Sequence, residues 1–260
     1  MDDDVRRMWD ANAETWARHQ EAGYDTYRTL YHGPAFFEFV GDLSGKLVLD
    51  AGCGAGTTTR AMAARGMTVV GVDLSERMIE AARDHERRDP MGIRYEVGSV
   101  CDMPMFADAS FDAVLSTMAI MDLADYEGAV REIWRVLRPG GMFAFIICHP
   151  CFTHEIRGWE RDEQGSAIAL TVGTYLDERT RVERWTFGLA PDRDEVEPFE
   201  VMYFCRTLQT YLNGLIGAGF RIAGVLEPAP DEATCEQDPR LRKWRNFPHA
   251  LCVEAVKEPG

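Results

Sequence analysis

The chain has 260 residues, a formal net charge of −15 and a hydrophobic content of 46%. This length suits one α/β domain with an insertion, and the acidity argues against a nucleic-acid partner, because binding to a phosphate backbone requires clustered basic side chains. The N-terminus has no cationic start with an apolar core, and no apolar run reaches the ~20 residues of a membrane helix, so we expect neither a signal peptide nor a membrane partner.

Residues 1–42 precede the first predicted strand and carry two apolar clusters. The first has helical spacing and comprises Val5, Met8, Trp9, Ala13 and Trp16. A second follows Pro34, and an aromatic segment, residues 24–32, lies between them. We predict two helices joined by an aromatic turn. Aromatic side chains at this density require burial, either in a lid over a ligand or against the edge of a sheet.

Residues 47–60 run from an apolar strand through Gly52, Gly54 and Gly56 into a segment with helical pattern. Glycines can adopt positive φ and let a ligand approach the backbone, while the following helix directs its N–H groups at that ligand. The loop is therefore predicted to hold a polar ligand. Its G-x-G-x-G spacing differs from the G-x-G-x-x-G of dinucleotide-binding sites.

A second predicted strand, residues 68–72, ends at Asp73. In doubly wound folds a carboxylate at this position accepts hydrogen bonds from ribose hydroxyls. Ser75 is a predicted N-cap for the next helix. The alternation of strands and helices then continues through strands at 93–97, 110–117 and 142–148, with a helix at 126–137 before the last of these.

Asp122 follows the strand that ends at Thr117. Because ligands gather at the carboxyl ends of parallel strands, Asp122 is expected near the reacting group; alternatively it begins the helix at 126–137, whose N-terminus favours negative charge. Of these two interpretations we favour the helix cap.

His149 follows the strand at 142–148 and lies within Cys148-His149-Pro150-Cys151. A histidine at the carboxyl end of such a strand opens onto the cleft and can accept a proton near neutral pH; the alternative is a hydrogen bond to neighbouring backbone. We find no second C-x-x-C for a zinc site and no thioredoxin-like context. We predict no metal site, and the 7 cysteines indicate reduced thiols of a cytoplasmic protein.

The doubly wound pattern stops between residues 153 and 205, where short alternating segments at 168–176, 181–187 and 199–204 predict strands. We interpret residues 153–205 as a β-rich insertion that covers the cleft and selects a substrate. The pattern resumes with a helix at 208–216 and strands at 221–226 and 250–256. Residues 229–248 are predicted to form a connecting loop.

Three motifs in order, residues 48–56, 72–75 and 135–141, resemble the class I S-adenosylmethionine-dependent methyltransferases. The resemblance implies an α/β, doubly wound, Rossmann-like fold with a seven-stranded, mostly parallel sheet whose last strand pair forms an antiparallel edge. We therefore divide the chain into a helical lid (1–42), a cofactor-binding core (43–152), the substrate cap (153–205) and the remainder of the core sheet (206–260). The family's Phe-Asp pair begins the fourth strand, so Asp112 is expected to be structural.

In that family the glycine loop lies against the methionyl part of S-adenosylmethionine, the strand-end acid binds the ribose and the turn after the third strand meets the adenine. Together with the position of strand ends, this gives the residues that we predict to bind the cofactor: Asp50, Gly52, Cys53, Gly54, Gly56, Asp73, Leu74, Met78, Ser99, Val100, Cys101 and Thr117. Ser99 stands where the family commonly has Asp. Asp102, or the backbone of Val100 and Cys101, are alternatives for the adenine contact.

The implied activity is transfer of a methyl group to an oxygen or nitrogen, or to carbon, of a small molecule, with S-adenosyl-L-homocysteine as product. The acceptor's base is predicted to be His149, then Tyr31 or His32 of the lid, with His154 and Tyr203 as further alternatives. Competing interpretations are a methyltransferase acting on tRNA or protein, for which basic residues at 240–245 would form a patch, and a non-catalytic cofactor-binding protein. A nicotinamide oxidoreductase is opposed by the glycine spacing. We expect a cytoplasmic monomer or homodimer.

Overall fold

The computed structural model describes residues 1–163 and 165–258. The strands of those residues are β1 (Leu47–Ala51), β2 (Thr68–Asp73), β3 (Arg94–Val97), β4 (Phe111–Thr117), β5 (Leu137–Cys148), β6 (Ile156–Arg161), β7 (Ala167–Val172), β8 (Thr180–Trp185), β9 (Phe199–Phe204), β10 (Phe220–Leu226) and β11 (Ala250–Lys257). The α-helices are α1 (Asp2–Glu21), α2 (Gly33–Val40), α3 (Thr57–Ala63), α4 (Glu76–Arg88), α5 (Tyr126–Val136), α6 (Pro150–Thr153), α7 (Leu208–Gly217) and α8 (Glu232–Gln237).

Within the described residues, a seven-stranded sheet has the order β10-β11-β5-β4-β1-β2-β3. β1, β2, β3, β4 and β5 pair in parallel, and β11 is antiparallel to both β5 and β10. The predicted doubly wound fold with an antiparallel edge is therefore confirmed. The chain moves outward from β1 to β3 and then crosses to β4 on the other side of β1, which opens a crevice at the carboxyl ends of β1 and β4.

The central strands are apolar because helices cover both faces of the sheet. β4 and β5 supply fully buried side chains such as Leu115, Phe143 and Phe145. At the opposite end of β4, Asp112 accepts the N–H of Leu47 at 2.8 Å and forms an ion pair with Arg138. As expected, Asp112 joins β4 to β1 and β5 at the end of the sheet remote from the crevice.

Helix caps fix where α4 and α5 begin. The hydroxyl of Ser75 accepts the N–H of Met78 at 3.1 Å, as predicted. For α5 the carboxylate of Asp125 accepts the N–H of Gly128 at 2.8 Å. The favoured interpretation of Asp122 as this cap was wrong, since Asp122 ends a separate 3-10 helix, Ile120–Asp122, three residues upstream.

Residues before β1 form α1, a π-helix (Tyr27–His32) and α2. The predicted aromatic turn was therefore wrong: helical backbone continues from Tyr27 directly into α2. α1 packs against α4 and β9. The aromatic side chains are buried in two places, with Trp16 against the insertion and Tyr31 against residues near the C-terminus.

The insertion consists of two antiparallel hairpins, β6 with β7 and β8 with β9. β6 was not predicted, because its charged and aromatic residues show no clear alternation. Trp185 of β8, Phe199 of β9 and Phe187 surround the ring of Trp16 at centroid distances of 5.1–5.2 Å. The β8–β9 part of the insertion is therefore packed onto the N-terminal helix by an aromatic cluster.

Residues 229–248 are not the predicted loop, since they contain α8 and a 3-10 helix, Pro239–Arg245. Leu241 and Trp244 of this segment are buried against Tyr31. The Pro, Asp and Glu residues suggested a loop, but some of them begin helices. Asp231 and Asp238 are both N-caps. Within the described part of the chain, none of the helices combines the length and apolar character that spanning a membrane requires.

Candidate functional site

A cleft of about 850 Å³, part of it open to solvent, lies at the carboxyl ends of β1, β2 and β4 and beneath α1. Nearly all residues that the sequence assigned to the cofactor line it. These are Gly52, Cys53, Gly54, Asp73, Leu74, Met78, Ser99, Val100, Cys101 and Thr117. Asp50 and Gly56 are outside the lining.

The glycine loop leaves bare backbone on the cleft wall. Gly52 has φ +79° and packs so closely on Ala119 that a Cβ here would collide with the Cβ of that residue. At Gly54, with φ +53°, a Cβ would meet nothing within 4 Å. The space over Gly54 is therefore open to a ligand, while Gly56 turns away from the cleft toward the hydroxyl of Tyr95.

Asp73 ends β2 beside this loop. One carboxylate oxygen accepts the N–H of Gly54 at 2.8 Å and the other accepts the N–H of Ser75 at 2.9 Å. Burial raises the pKa of Asp73, and these two backbone donors oppose the rise. A carboxylate has about four lone-pair positions, so Asp73 can still accept hydrogen bonds from a diol.

The cleft beyond Asp73 is a mainly apolar slot formed by Leu74, Met78, Val100 and Cys101. The Ser99 hydroxyl accepts the N–H of Cys101 at 3.2 Å and so shapes this turn. Such a slot suits a flat ring whose edge meets backbone groups. Asp102, the alternative adenine acceptor, is not part of the lining.

Arg28 of the π-helix forms the opposite end of the cleft. Its guanidinium donates to the hydroxyls of Thr58 at 2.6 Å and Thr117 at 3.2 Å, and to the carboxylate of Asp25 at 3.0 Å. Met118, next in the chain, has φ +54°, a conformation that non-glycine residues rarely adopt. Backbone held in this region at the end of a strand is typical of binding sites.

α1 closes the cleft from above, with Val5, Trp9 and Trp16 among the lining side chains. Hydrogen bonds near the middle and at the C-terminal end of this helix hold it to the core. The hydroxyl of Ser75 donates to the carboxylate of Asp10 at 2.6 Å, and the hydroxyl of Thr57 donates to the amide oxygen of Gln20 at 2.9 Å. Residues 1–42 thus include the wall that separates the cleft from water.

Asp122 lies in the wall next to Thr117 and Met118, with 7% of its surface exposed. Burial raises its pKa well above the ordinary value of an aspartate; the charges of Glu183 and Asp73 raise it further, and Arg206 opposes them. Its 3-10 helix packs against β9 of the insertion. Asp122 therefore lies where the cleft wall meets the insertion, although none of the described residues of 153–205 lines the cleft itself.

His149 is 1% exposed and does not line the cleft. Its Nε2 lies 2.7 Å from a carboxylate oxygen of Glu227, and its Nδ1 accepts the N–H of Cys151 at 3.2 Å. Both ring nitrogens are therefore occupied, and burial lowers the pKa of the imidazole. This geometry favours the alternative of a backbone-bonded helix cap over the predicted proton acceptor.

Tyr31 and Asp50 are likewise internal. The Tyr31 hydroxyl donates to the carbonyl of Pro228 at 2.6 Å, and burial raises the pKa of this phenol. Asp50 accepts the hydroxyl of Thr59 at 2.7 Å, which pins α3 to β1, and burial raises its pKa to about 6. Neither side chain reaches the cleft lining, so the structure does not support a catalytic Tyr31 or a direct cofactor contact of Asp50.

Two polar residues of the site were missed or misinterpreted from the sequence. Arg28 lies in a segment that we interpreted only as aromatic, and nothing in its neighbourhood indicates a binding role. The position of Asp122 after β4 indicated a place in the cleft, but the start of a helix nearby suggested that Asp122 was a helix cap. The cap belongs to Asp125.

Comparisons with known proteins agree with this geometry. Residues 49–145 match the family described as "Methyltransferase domain". Among solved structures, an S-adenosylmethionine-dependent methyltransferase from Mesorhizobium loti is 31% identical, with a TM-score of 0.70 and coverage of 86% of this chain and 96% of that chain.

Two curated relatives match a shorter part. A demethylmenaquinone methyltransferase of Tropheryma whipplei (strain Twist) is 35% identical over 154 residues, which are 59% of this chain and 61% of the relative. A ubiquinone biosynthesis O-methyltransferase of Pseudomonas savastanoi pv. phaseolicola is 33% identical over 103 residues, 40% of this chain and 44% of the relative. The chain thus spans less than two thirds of either relative.

Proposed function

Because the chain belongs to the S-adenosylmethionine-dependent methyltransferases, we propose that its acceptor is a small molecule with an oxygen or nitrogen nucleophile, a carbon nucleophile being the alternative. S-adenosylmethionine is the cofactor of this family. Whether the acceptor is a small molecule or a macromolecule depends on how the cleft is enclosed.

The residues of the cleft fit this cofactor. The open space over Gly54 suits a chain that lies against backbone, Asp73 has free acceptor capacity for the ribose diol, and the slot at Val100 suits the adenine ring. Arg28 is the cation at the remaining end, where a carboxylate of the methionyl group would find a donor. We assign the cofactor-binding roles to these residues on that basis.

The observation that carries the proposal of a small acceptor is the position of α1. This helix lies over the cleft and is anchored on both sides, to α4 through Asp10 and to the insertion through Trp16. Such a roof leaves room for a small molecule beside the cofactor rather than for a folded partner. The names of the two relatives, both connected with quinones, support a small-molecule acceptor.

The charges of the surface also favour this assignment over a tRNA substrate. Of the basic residues at 240–245, Arg240 pairs with Asp238, and Arg242 and Arg245 both pair with Glu232. Lys243 lies over the rings of Trp159 and Trp244. Paired arginines release fewer counterions on contact with a phosphate backbone than a free basic patch would.

When bound, the cofactor supplies an electrophilic methyl group on a sulfonium. The chain's own contribution is alignment and exclusion of water, which for a displacement between two bound molecules supplies much of the rate. Asp73 and the glycine loop fix one end of the bound molecule, Arg28 fixes the other, and Trp9 and Trp16 cover the cleft. An acceptor that lies beside Thr117 would be held in line with the transferred group.

The test has two stages. Thermal unfolding with S-adenosylhomocysteine and, separately, with NAD measures which of the two compounds the protein binds; we expect stabilisation by the first only. A panel of phenols, amines and thiols is then incubated with methyl-labelled cofactor, with bulk tRNA and protein as competitors. Label on a panel compound supports the proposal, whereas label on tRNA or protein alone contradicts it.

A further inference from the structure

Asp122 is a buried carboxyl group without a structural partner. It is 7% exposed, it lines the cleft, and no hydrogen bond or salt bridge of its carboxyl group occurs among the residues that the structure describes. The capping of α5, which would explain an acid at this place, is performed by Asp125. The carboxyl group of Asp122 is therefore accessible from the cleft and available to a ligand that enters it.

The position of Asp122 in the cleft indicates which part of a ligand it meets. Asp73 and the slot at Val100 accommodate the nucleoside, which leaves the methionyl half of the cofactor toward Thr117, Met118 and Arg28. Asp122 follows Thr117 and Met118 on the segment after β4, and its 3-10 helix packs against β9 of the insertion. It therefore lies between the sulfonium end of the cofactor and the element that we expect to select the acceptor.

We propose that the carboxylate of Asp122 faces the transferred methyl group and takes the proton of the acceptor's hydroxyl or amine. The inference rests on the proposed function. As the acceptor's oxygen or nitrogen forms its bond to the methyl carbon, the carbon–sulfur bond breaks and its electron pair stays on sulfur. The acceptor's proton passes to Asp122, and the thioether and the methylated acceptor leave. The carboxyl group then returns the proton to solvent through the open cleft.

The charges around Asp122 define the acceptor class further. The titratable and charged side chains on the elements packed against it are Asp73, Cys148, Arg181, Glu183, Tyr203, Arg206 and Tyr211. One Nη of Arg206 donates to the carbonyls of Leu123 and Ala124, its other Nη is buried without a partner among the described residues, and Arg181 pairs with Glu183. Of the charged side chains that line the cleft, Asp2, Asp73 and Asp122 are acids, and the cation Arg28 is assigned to the methionyl carboxylate of the cofactor. This balance favours a neutral phenol, alcohol or amine over a carboxylate or phosphate ester.

Sinefungin tests this position without knowledge of the acceptor, because it carries an amine-bearing carbon where the cofactor has its methylated sulfur. Calorimetric titrations compare sinefungin with S-adenosylhomocysteine, which lacks a charge at that atom. We expect wild-type protein at pH 8 to bind sinefungin at least ~10-fold more tightly than S-adenosylhomocysteine, as a charged hydrogen bond allows. In Asp122→Asn this preference should fall below about 2-fold, with the affinity for S-adenosylhomocysteine changed less than about 3-fold.

Asp125→Asn is the matched control, since asparagine also caps helices and residue 125 lies outside the cleft lining. It should keep the full preference. A wild-type protein that binds both analogues equally, or an Asp122→Asn variant that keeps the preference, overturns the inference. Failure of the proposed function looks different: either S-adenosylhomocysteine does not bind at all, or the sinefungin preference holds while label appears only on tRNA or protein.

Once the panel has given an acceptor, the proton transfer is measured directly. Asp122→Asn should lower kcat by at least ~100-fold and remove the acid limb of the pH profile, because general bases contribute about 10²–10⁴ in rate. Asp122→Glu should restore part of the rate. A kcat within a few fold of wild type at every pH contradicts the role as proton acceptor.

Discussion

The carboxylate of Asp73 accepts the backbone N–H of Gly54 at 2.8 Å, so the acid at the end of β2 and the glycine loop after β1 form one unit. The same carboxylate holds the N–H of Ser75, which begins α4. A residue that the sequence assigns only to a ribose therefore also sets the shape of the surface on which the ligand lies. Loss of the charge and loss of the side chain should consequently have separable effects.

Asp73→Asn keeps an oxygen that can accept the N–H of Gly54 but removes the charge. We expect affinity for S-adenosylmethionine to fall by at least ~10-fold, since hydrogen bonds to charged groups contribute about 1.5–3 kcal/mol. Asp73→Ala should weaken binding further and lower the Tm of the free protein, because the loop loses its anchor. Calorimetry and thermal unfolding measure the two effects. Asp112→Asn, at the remote end of the sheet, is the control, and equal cofactor affinity in Asp73→Asn and wild type would remove Asp73 from the site.

Arg28 joins three parts of the chain, because its guanidinium contacts Thr58 of α3, Thr117 of β4 and Asp25 before the π-helix. Arg28→Met should raise the Kd for the cofactor by about 10-fold and increase proteolytic cleavage within residues 22–32, since the π-helix loses its contact with the core. Arg65→Met, an exposed arginine that lies over Phe37, is the control.

A double-mutant cycle with Thr117→Val separates direct binding of the ligand from docking of the lid. If Arg28 acts by docking the π-helix, the two changes should be non-additive in the free protein. Additive losses of stability combined with a large loss of affinity would instead show that Arg28 acts on the ligand alone.

The sequence predicted those parts of the fold and site that are encoded locally. The glycine loop, Asp73 and the cap at Ser75 lie within single strand–loop–helix units, where a short segment fixes its own geometry. Asp112 was correctly placed at the remote end of the sheet. The Rossmann-like strand order was implied by the family resemblance that the three motifs carry.

The remaining features depend on contacts between distant segments, and no local pattern encodes them. Arg28 reaches the cleft only because a π-helix continues into α2 and turns its side chain toward Thr117. His149 follows a strand, as catalytic residues often do, yet its Nε2 contacts the carboxylate of Glu227, which is far along the chain. Asp122 and Asp125 look equally suited to cap α5, and only the backbone distinguishes them.

Trp16 contacts Trp185, Phe187 and Phe199 and also lines the cleft. Trp16→Ala should destabilise the protein by about 3–5 kcal/mol, the usual loss for a buried aromatic residue, and should raise the Kd for S-adenosylhomocysteine because α1 no longer packs on the insertion. Trp16→Phe should recover most of the stability. Urea unfolding and calorimetry give the two quantities, and Trp134→Ala, on α5, is a control that loses a partly buried aromatic residue outside the cleft lining. Wild-type affinity in Trp16→Ala would show that the roof is not needed for binding.

His149 should contribute to stability rather than to turnover. His149→Ala removes the cap of Cys151 and the contact with Glu227, so we expect a loss of about 1–2 kcal/mol, with kcat and cofactor affinity within about 3-fold of wild type. Burial lowers the pKa of His149 in the folded state. Stability from the neutral ring is therefore present above pH ~6.5, the unfolded value, and is lost as the pH falls below it. The Tm difference between wild type and His149→Ala should shrink from pH 7.5 to pH 5.5, and a large loss of kcat without loss of Tm would restore the catalytic interpretation.

The pH dependence of stability that Asp122 causes should be opposite to that of His149, and measuring it requires no knowledge of the acceptor. Burial raises its pKa, so between the unfolded value near 3.9 and the raised folded value the native state binds more protons than the unfolded chain. Stability contributed by the protonated carboxyl group is then lost as the pH rises through this window. Asp122→Asn cannot ionise, and its Tm should exceed that of wild type at pH 8 by an amount that vanishes toward pH 4. Asp125→Asn, at the exposed N-cap of α5, is the matched substitution for comparison. If wild-type protein is as stable as Asp122→Asn at pH 8, the charge of Asp122 is already compensated in the free protein, and the inference loses this support. The expected gain in stability would instead show that the ionised Asp122 destabilises the fold, as is common for residues that serve binding or catalysis.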